Sequence, residues 1–106
     1  MIKEMSPREF VARADEGDPP VLLDVREDWE LGLAKLDQAM HIPMGSVPER
    51  LGELQRDREI VVMCRSGGRS AQVAHYLQQQ GFERVWNLAG GIIAWSEQVD
   101  PSITPY

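Results

Sequence analysis

Cysteine occurs once in these 106 residues, at position 64. A lone thiol excludes an internal disulfide, a Cys-x-x-Cys redox pair and a zinc site built from several cysteines. It suits a reducing compartment, and the expected location is the cytoplasm. Cations are also in short supply. Eleven Lys and Arg stand against 17 Asp and Glu, for a net charge of −6. That balance favours solubility, argues against nucleic acid as a partner, and makes any local arginine cluster conspicuous. No run of apolar residues approaches the ~18 needed to cross a bilayer. The opening Met1-Ile2-Lys3-Glu4-Met5 lacks the apolar core of a signal peptide, so no membrane partner is expected. Of the two histidines, neither His41 nor His75 has a second histidine or cysteine at ligand spacing. Both read as structural or exposed, and no metal is expected.

What remains is enough for one compact domain, residues 1–106, and too little for two. Hydrophobic residues make up 42%, an ordinary share for a globular core. Ser6-Pro7-Arg8-Glu9 carries a helix start: a capping serine, proline at the first helical position and glutamate closing a capping box. Gly17-Asp18-Pro19-Pro20 stops that helix. Val21 to Val25 is a nearly continuous apolar run, the pattern of a strand covered on both faces in a parallel sheet. A short helix is predicted over Glu27 to Leu33 and a short strand ending at Ile42. Ser46-Val47-Pro48-Glu49 repeats the capping-box pattern and predicts a helix through about Gln55, with Leu51 and Leu54 inward. Ile60 to Met63 is the clearest buried strand. A helix follows from Ser70 to Gln80, ended by Gly81. Arg84 to Asn87 predicts another strand, and Ile92 to Gln98 a last short helix. Residues 96–106 are read as a tail packed on the surface. Strands alternating with helices indicate an α/β fold: a central, mostly parallel sheet of about five short strands with helices on both faces.

The chemistry concentrates where the clearest strand ends, in Met63-Cys64-Arg65-Ser66-Gly67-Gly68-Arg69-Ser70. Ligands of open α/β sheets bind at the carboxyl ends of strands. Glycines let the backbone turn its N–H groups inward, and consecutive inward N–H groups make an anion cradle. The helix expected from Ser70 adds its positive end, and Arg65 and Arg69 add full charges. A free thiol ionises near pH ~8.5, and such surroundings lower that value. A lone cysteine after a strand is commonly a small buried hydrophobe. The paired glycines and flanking arginines argue otherwise, since an inert core thiol needs neither.

This loop resembles the active-site loop of the rhodanese family. The resemblance extends through Leu23-Asp24-Val25-Arg26-Glu27 with Glu30 following, through Ile42-Pro43, and through Leu88-Ala89-Gly90-Gly91-Ile92-Ile93-Ala94-Trp95. It covers roughly Ser6 to Trp95 in consistent order. One departure is Ala34-Lys35-Leu36, standing where the family often has Gly-His-Ile; His41 lies nearby without filling that place. The resemblance implies structural roles for Asp24 and Arg26 at a strand end, with Arg26 pairing an acid across the sheet's edge, and a tight turn at Gly90 and Gly91 beside the loop. Trp95 is expected to pack the final helix on the core, with Trp29 and Trp86 in core or rim positions.

The implied activity is sulfur transfer through a Cys64 persulfide, with no metal or organic cofactor. Thiosulfate or another small anionic donor supplies sulfur; cyanide, a thiol or a protein acceptor removes it. Backbone N–H groups of Arg65 to Arg69 would stabilise the anionic sulfur, while Arg65 and Arg69 would draw in the donor. A monomer is expected. Four rival readings stay open. A cysteine phosphatase normally places five residues between cysteine and arginine, whereas four separate Cys64 from Arg69 and the longer spacing falls on Ser70. A noncatalytic binding module would not require Cys64. A sulfur-relay protein would keep the chemistry and change the donor. An arsenate reductase would need an external thiol, because there is no second cysteine.

Overall fold

A computed structural model describes residues 2–106, so Met1, the first residue of the N-terminal stretch read above, lies outside the described residues. Five strands form one sheet: β1 (Lys3–Met5), β2 (Val21–Asp24), β3 (Met40–His41), β4 (Ile60–Met63) and β5 (Val85–Leu88). Their spatial order is β1-β5-β4-β2-β3, and every pairing is parallel. Among the described residues three α-helices lie between strands, α1 (Pro7–Asp15), α2 (Asp28–Leu31) and α3 (Gly68–Gln79), and a fourth, α4 (Gly91–Gln98), follows β5.

Strand periodicity divides the core in two. Leu23, Ile60 and Val62 face α3, whose Val73, Ala74 and Leu77 cover them together with Val47. Leu22, Val61, Met63 and Leu88 face the opposite way, under Phe10 of α1 and Ile92 and Trp95 of α4. Phe10 and Trp95 lean on one another with centroids 5.8 Å apart. Because both faces are covered, β4 shows no polar alternation and all four of its residues are buried. Each large apolar side chain sealed in this way contributes roughly 1.5–3 kcal/mol.

The capping box on α1 forms as the sequence suggests. Ser6 Oγ accepts from the Glu9 N–H, and Glu9 Oε1 accepts from the Ser6 N–H, both at 3.1 Å. The second capping-box pattern does not make an α-helix. Residues Met44–Ser46 and Pro48–Glu53 form short 3-10 turns, and Ser46 ends the first rather than capping a helix. Pro48 would be tolerated in a first helical turn, but Arg50 leaves helical geometry and breaks the run. Leu54 is still buried and Leu51 still packs on the core. β1 pairs with β5 at the sheet edge, although three residues with one buried position carry too little pattern to announce a strand. The last helix runs to Gln98, so the tail read from residue 96 begins after it. Ser96, inside α4, holds the tail by donating to the Ile103 carbonyl at 2.7 Å.

At the end of β2, Asp24 and Arg26 neutralise each other while almost wholly buried. Arg26 Nη2 lies 2.8 Å from Asp24 Oδ2, and the Arg26 N–H donates to Asp24 Oδ1 at 3.0 Å. The acid that pairs with Arg26 is thus two residues away on its own chain segment, not across the sheet's edge. Geometry explains this: the chain bends after Asp24, folding the long side chain back over the carboxylate it has just left. Arg26 Nη2 also reaches the Ala34 carbonyl, while Nη1 is buried without a partner. The Ala34-Lys35-Leu36 departure thereby provides a carbonyl contact that any residue could supply. His41 Nε2 is 2.7 Å from the Arg26 carbonyl, a bracing contact, and His75 sits exposed beside Gln79. Among the described residues, no group of three or more His, Cys, Asp or Glu side chains could hold a metal. Among the described residues, no helix is long and apolar enough to cross a membrane.

Candidate active site

Cys64 follows directly on β4, the middle strand of the sheet, and the chain then turns into α3. Gly67 makes the turn, with φ +115°, in the left-handed region that glycine tolerates best. The helix begins at Gly68, two residues earlier than expected, and its first turn therefore lies over the sulfur. The Gly67 N–H donates to Cys64 Sγ at 3.1 Å and the Ser70 N–H at 3.4 Å, with Ser70 Oγ at 3.3 Å. These are N–H groups that a helix start leaves without intrahelical partners. Burial pushes the Cys64 thiol up; the Ser70 hydroxyl and the N–H groups of Ser70, Gly67 and Ser66 outweigh it and hold the thiol below its ordinary value.

The structure adds the depth of the sulfur and changes one expectation. The sulfur is not exposed: Cys64 is 1% accessible and packs with the α3 side of the core. A strand end capped by a tight loop places the side chain beneath the loop rather than at its crest. Nor is Arg69 a free receptor for anions. Its Nη1 and Nη2 meet Oε1 and Oε2 of Glu30 at 2.6 and 2.8 Å. Glu30 is itself buried, in α2. Arg65 makes no ion pair among the described residues. It is exposed, and its guanidinium carbon lies 4.5 Å from the ring centre of Tyr106, which leans edge-on against the exposed Trp29. A cation and two aromatic rings thus border the loop.

The loop is clamped from behind by the segment containing Gly90 and Gly91. The N–H of Ile92 donates to the Cys64 carbonyl at 3.0 Å and that of Ile93 to the Arg65 carbonyl at 3.2 Å. A Cβ on Gly91, at φ +59°, would lie 2.4 Å from the Cys64 carbonyl oxygen and 2.5 Å from that of Arg65. The start of α4 can approach so closely only without a side chain there. With those carbonyls tied down, the loop's N–H groups stay directed at the sulfur.

Three residues near the site escaped the sequence reading as site members: Glu30 as the partner of Arg69, Tyr106 as the platform for Arg65, and Asn87. Asn87, on β5, is 4% accessible. It donates to the Gly67 carbonyl at 3.1 Å and accepts from Ser70 Oγ at 2.5 Å. An amide in an otherwise apolar strand between Trp86 and Leu88 was the available signal, since a buried amide requires partners.

The arrangement provides a single ionisable sulfur under converging donors, suited to nucleophilic attack on a small electrophile. Comparison with known proteins agrees with this chemistry. The family model described as "Rhodanese-like domain" matches residues 6–98. A protein named "Sulfurtransferase" from Allochromatium vinosum is 38% identical over 105 residues, 99% of this chain and 98% of its own. YtwF of Bacillus subtilis is 42% identical over 100 residues, covering 94% and 96%. The crystal structure of a rhodanese-like domain protein from Staphylococcus aureus superposes with a TM-score of 0.85 at 29% identity, over 97% of each chain.

Proposed function

Because the chain belongs to the rhodanese-like family, we propose that it is a sulfurtransferase that carries sulfane sulfur from thiosulfate to a thiophilic acceptor as a Cys64 persulfide. The carrying observation is the donors around one sulfur: two backbone N–H groups aimed at it, at 3.1 and 3.4 Å, with the Ser70 hydroxyl 3.3 Å away and able to turn to it. Such donors favour the thiolate, and they remain in place for the negative outer sulfur of a persulfide.

The Cys64 thiolate attacks the outer sulfur of thiosulfate. A sulfur–sulfur bond forms, the donor's own sulfur–sulfur bond breaks, and sulfite leaves with the electron pair. Cyanide or a thiolate then attacks the outer sulfur of the persulfide, and Cys64 regains its pair as thiolate. Splitting the transfer in two is covalent catalysis. The buried position of Cys64 favours a donor that presents one narrow sulfur end-on. Ser66, Gly67, Gly68 and Ser70 form the loop and helix start around the sulfur. Arg65, unpaired and at the rim, attracts the anionic donor, and Arg69 secures the loop through Glu30. Gly90 and Gly91 hold the loop from behind, and Asp24 with Arg26 braces the neighbouring strand end. The domain occupies residues 1–106 and acts as a monomer in the cytoplasm, without metal or cofactor.

Phosphoryl transfer fits less well. The cation that a cysteine phosphatase would require falls at position 70, which is a buried serine, and the nearby Arg69 is engaged by Glu30 on both nitrogens. Intact-mass measurement after incubation with thiosulfate tests the proposal. The protein should gain the mass of one sulfur, lose it to cyanide with release of thiocyanate, and gain nothing as Cys64→Ser. A wild-type mass unmoved by thiosulfate, or a Cys64→Ser variant that still turns over, overturns it.

A further inference from the structure

The Ser70 hydroxyl has one proton and two claimants. Its oxygen lies 2.5 Å from Asn87 Oδ1 and 3.3 Å from Cys64 Sγ. The orientation of the Asn87 amide follows from its other side, where Nδ2 faces two oxygens: the Gly67 carbonyl at 3.1 Å and Glu4 Oε2 at 2.9 Å. Oδ1 therefore faces Ser70 and can only accept. Two oxygens at that separation need a proton between them, and Ser70 alone can supply it. While the hydroxyl points to Asn87, it presents lone pairs to the sulfur. A thiol can donate to those lone pairs; a thiolate can gain nothing from them. Ser70 is fully buried and Asn87 nearly so, which leaves little water to replace either partner.

We propose that Asn87 is a positioning residue that sets the direction of the Ser70 hydroxyl and so opposes ionisation of Cys64 until that hydroxyl turns to the sulfur. In the resting state the donor chain runs from Sγ–H to Ser70 to Asn87. On ionisation the thiol proton leaves to solvent, the hydroxyl swings to Sγ, and Asn87 Oδ1 gives up its bond. The charged groups around this chain are few. β1 contributes Glu4, on the amide side of Asn87. α3 and α2 contribute Arg69 and Glu30, bound to each other. The loop contributes Arg65, turned to Tyr106, and β2 contributes the Asp24–Arg26 pair. The first turn of α4 carries neither acid nor base. No charged group takes up the hydroxyl, so its direction is decided between sulfur and amide.

This inference rests on the thiolate that sulfur transfer requires, but its test needs no sulfur donor, so the two fail separately. Cys64 is the sole cysteine, and thiolate ultraviolet absorbance followed against pH, with the Cys64→Ser protein subtracted, reports it alone. Asn87→Ala and the bulkier Asn87→Leu should each lower the ionisation midpoint by about 1 pH unit, the scale of one hydrogen bond to a charged acceptor. Ser70→Ala should raise it. In the Ser70→Ala background the Asn87 substitutions should shift nothing, because the residue they act through is gone. A loop merely loosened by loss of Asn87 would withdraw the Gly67 and Ser70 N–H groups and raise the midpoint. A raised or unmoved midpoint in the Asn87 variants, or an equal shift with Ser70 absent, overturns the proposal.

Discussion

Glu30 and Arg69, 39 residues apart in sequence, meet as a two-point ion pair in which the Glu30 side chain is 3% accessible and that of Arg69 34%. The asymmetry decides what each side chain contributes. Glu30 has exchanged water for Arg69 and the Glu27 N–H, whereas Arg69 keeps one flank in solvent. The pair ties α2 to the start of α3, directly above the sulfur.

Removing Arg69 should therefore damage the fold, while removing Arg65 should not. Arg69→Ala strands a buried carboxylate, and the expected loss is about 2 kcal/mol, below the ~3–5 of a fully buried pair because solvent screens the exposed flank. Arg65→Ala should stay within about 0.5 kcal/mol of the parent. Urea unfolding of both variants checks the contrast.

The same pair makes stability depend on acid. The Arg69 guanidinium, helped by the Glu27 N–H and opposed by burial, holds the Glu30 carboxyl below the ordinary carboxylate range. A lowered folded value means that the unfolded chain takes up the proton first. The stabilisation is thus complete above the unfolded value of about 4.3 and fades as pH falls through the folded one. Glu30→Gln should be less stable at neutral pH and should lose less on acidification below pH ~4.3. Urea midpoints measured across that range show whether the two curves converge.

Two neighbouring kinds of glycine should behave oppositely. Gly91→Ala drives a Cβ into two carbonyl oxygens at positive φ, and should cost at least about 2 kcal/mol. Gly68→Ala meets nothing within 4 Å at the first position of α3, and should be neutral or slightly stabilising. Thermal melts of the two proteins separate them, and Gly91→Ala should also lose sulfur transfer.

Asp24→Ala should be among the most damaging substitutions, at about 3–5 kcal/mol, because Arg26 is wholly buried and already lacks a partner for Nη1. Asp24→Leu combined with Arg26→Met should recover much of that loss. Denaturant unfolding of the single and double variants measures the recovery.

At the rim, Arg65→Ala should raise the KM for thiosulfate about tenfold, the effect of ~1.4 kcal/mol of lost attraction, with kcat nearly unchanged. Steady-state kinetics at two salt concentrations test this, since the difference from the parent should shrink as salt rises.

The sheet was legible because β2 and β4 are covered on both faces, so their apolar runs appear undiluted in sequence. α1 was legible because its cap lies entirely within four consecutive residues. β1 was not, because an edge strand of three residues owes its existence to β5 rather than to its own pattern. The 3-10 segment failed for a related reason: Ser46 and Glu49 supply a local capping motif, and the packing of Val47 and Leu54 on the core overrides it. In the site, Cys64 and its loop are contiguous and could be read directly. Glu30, Asn87 and Tyr106 reach the loop from other elements, and no local spacing announces that Arg69 will spend its charge on α2.

Glu4 and Tyr106 lie far apart in sequence, yet both reach the Cys64 loop: Tyr106 directly at Arg65, and Glu4 through Asn87. A segment joined beside Lys3–Met5 or Tyr106 that displaces either contact should therefore alter thiosulfate turnover, and rates measured before and after its removal would show the difference.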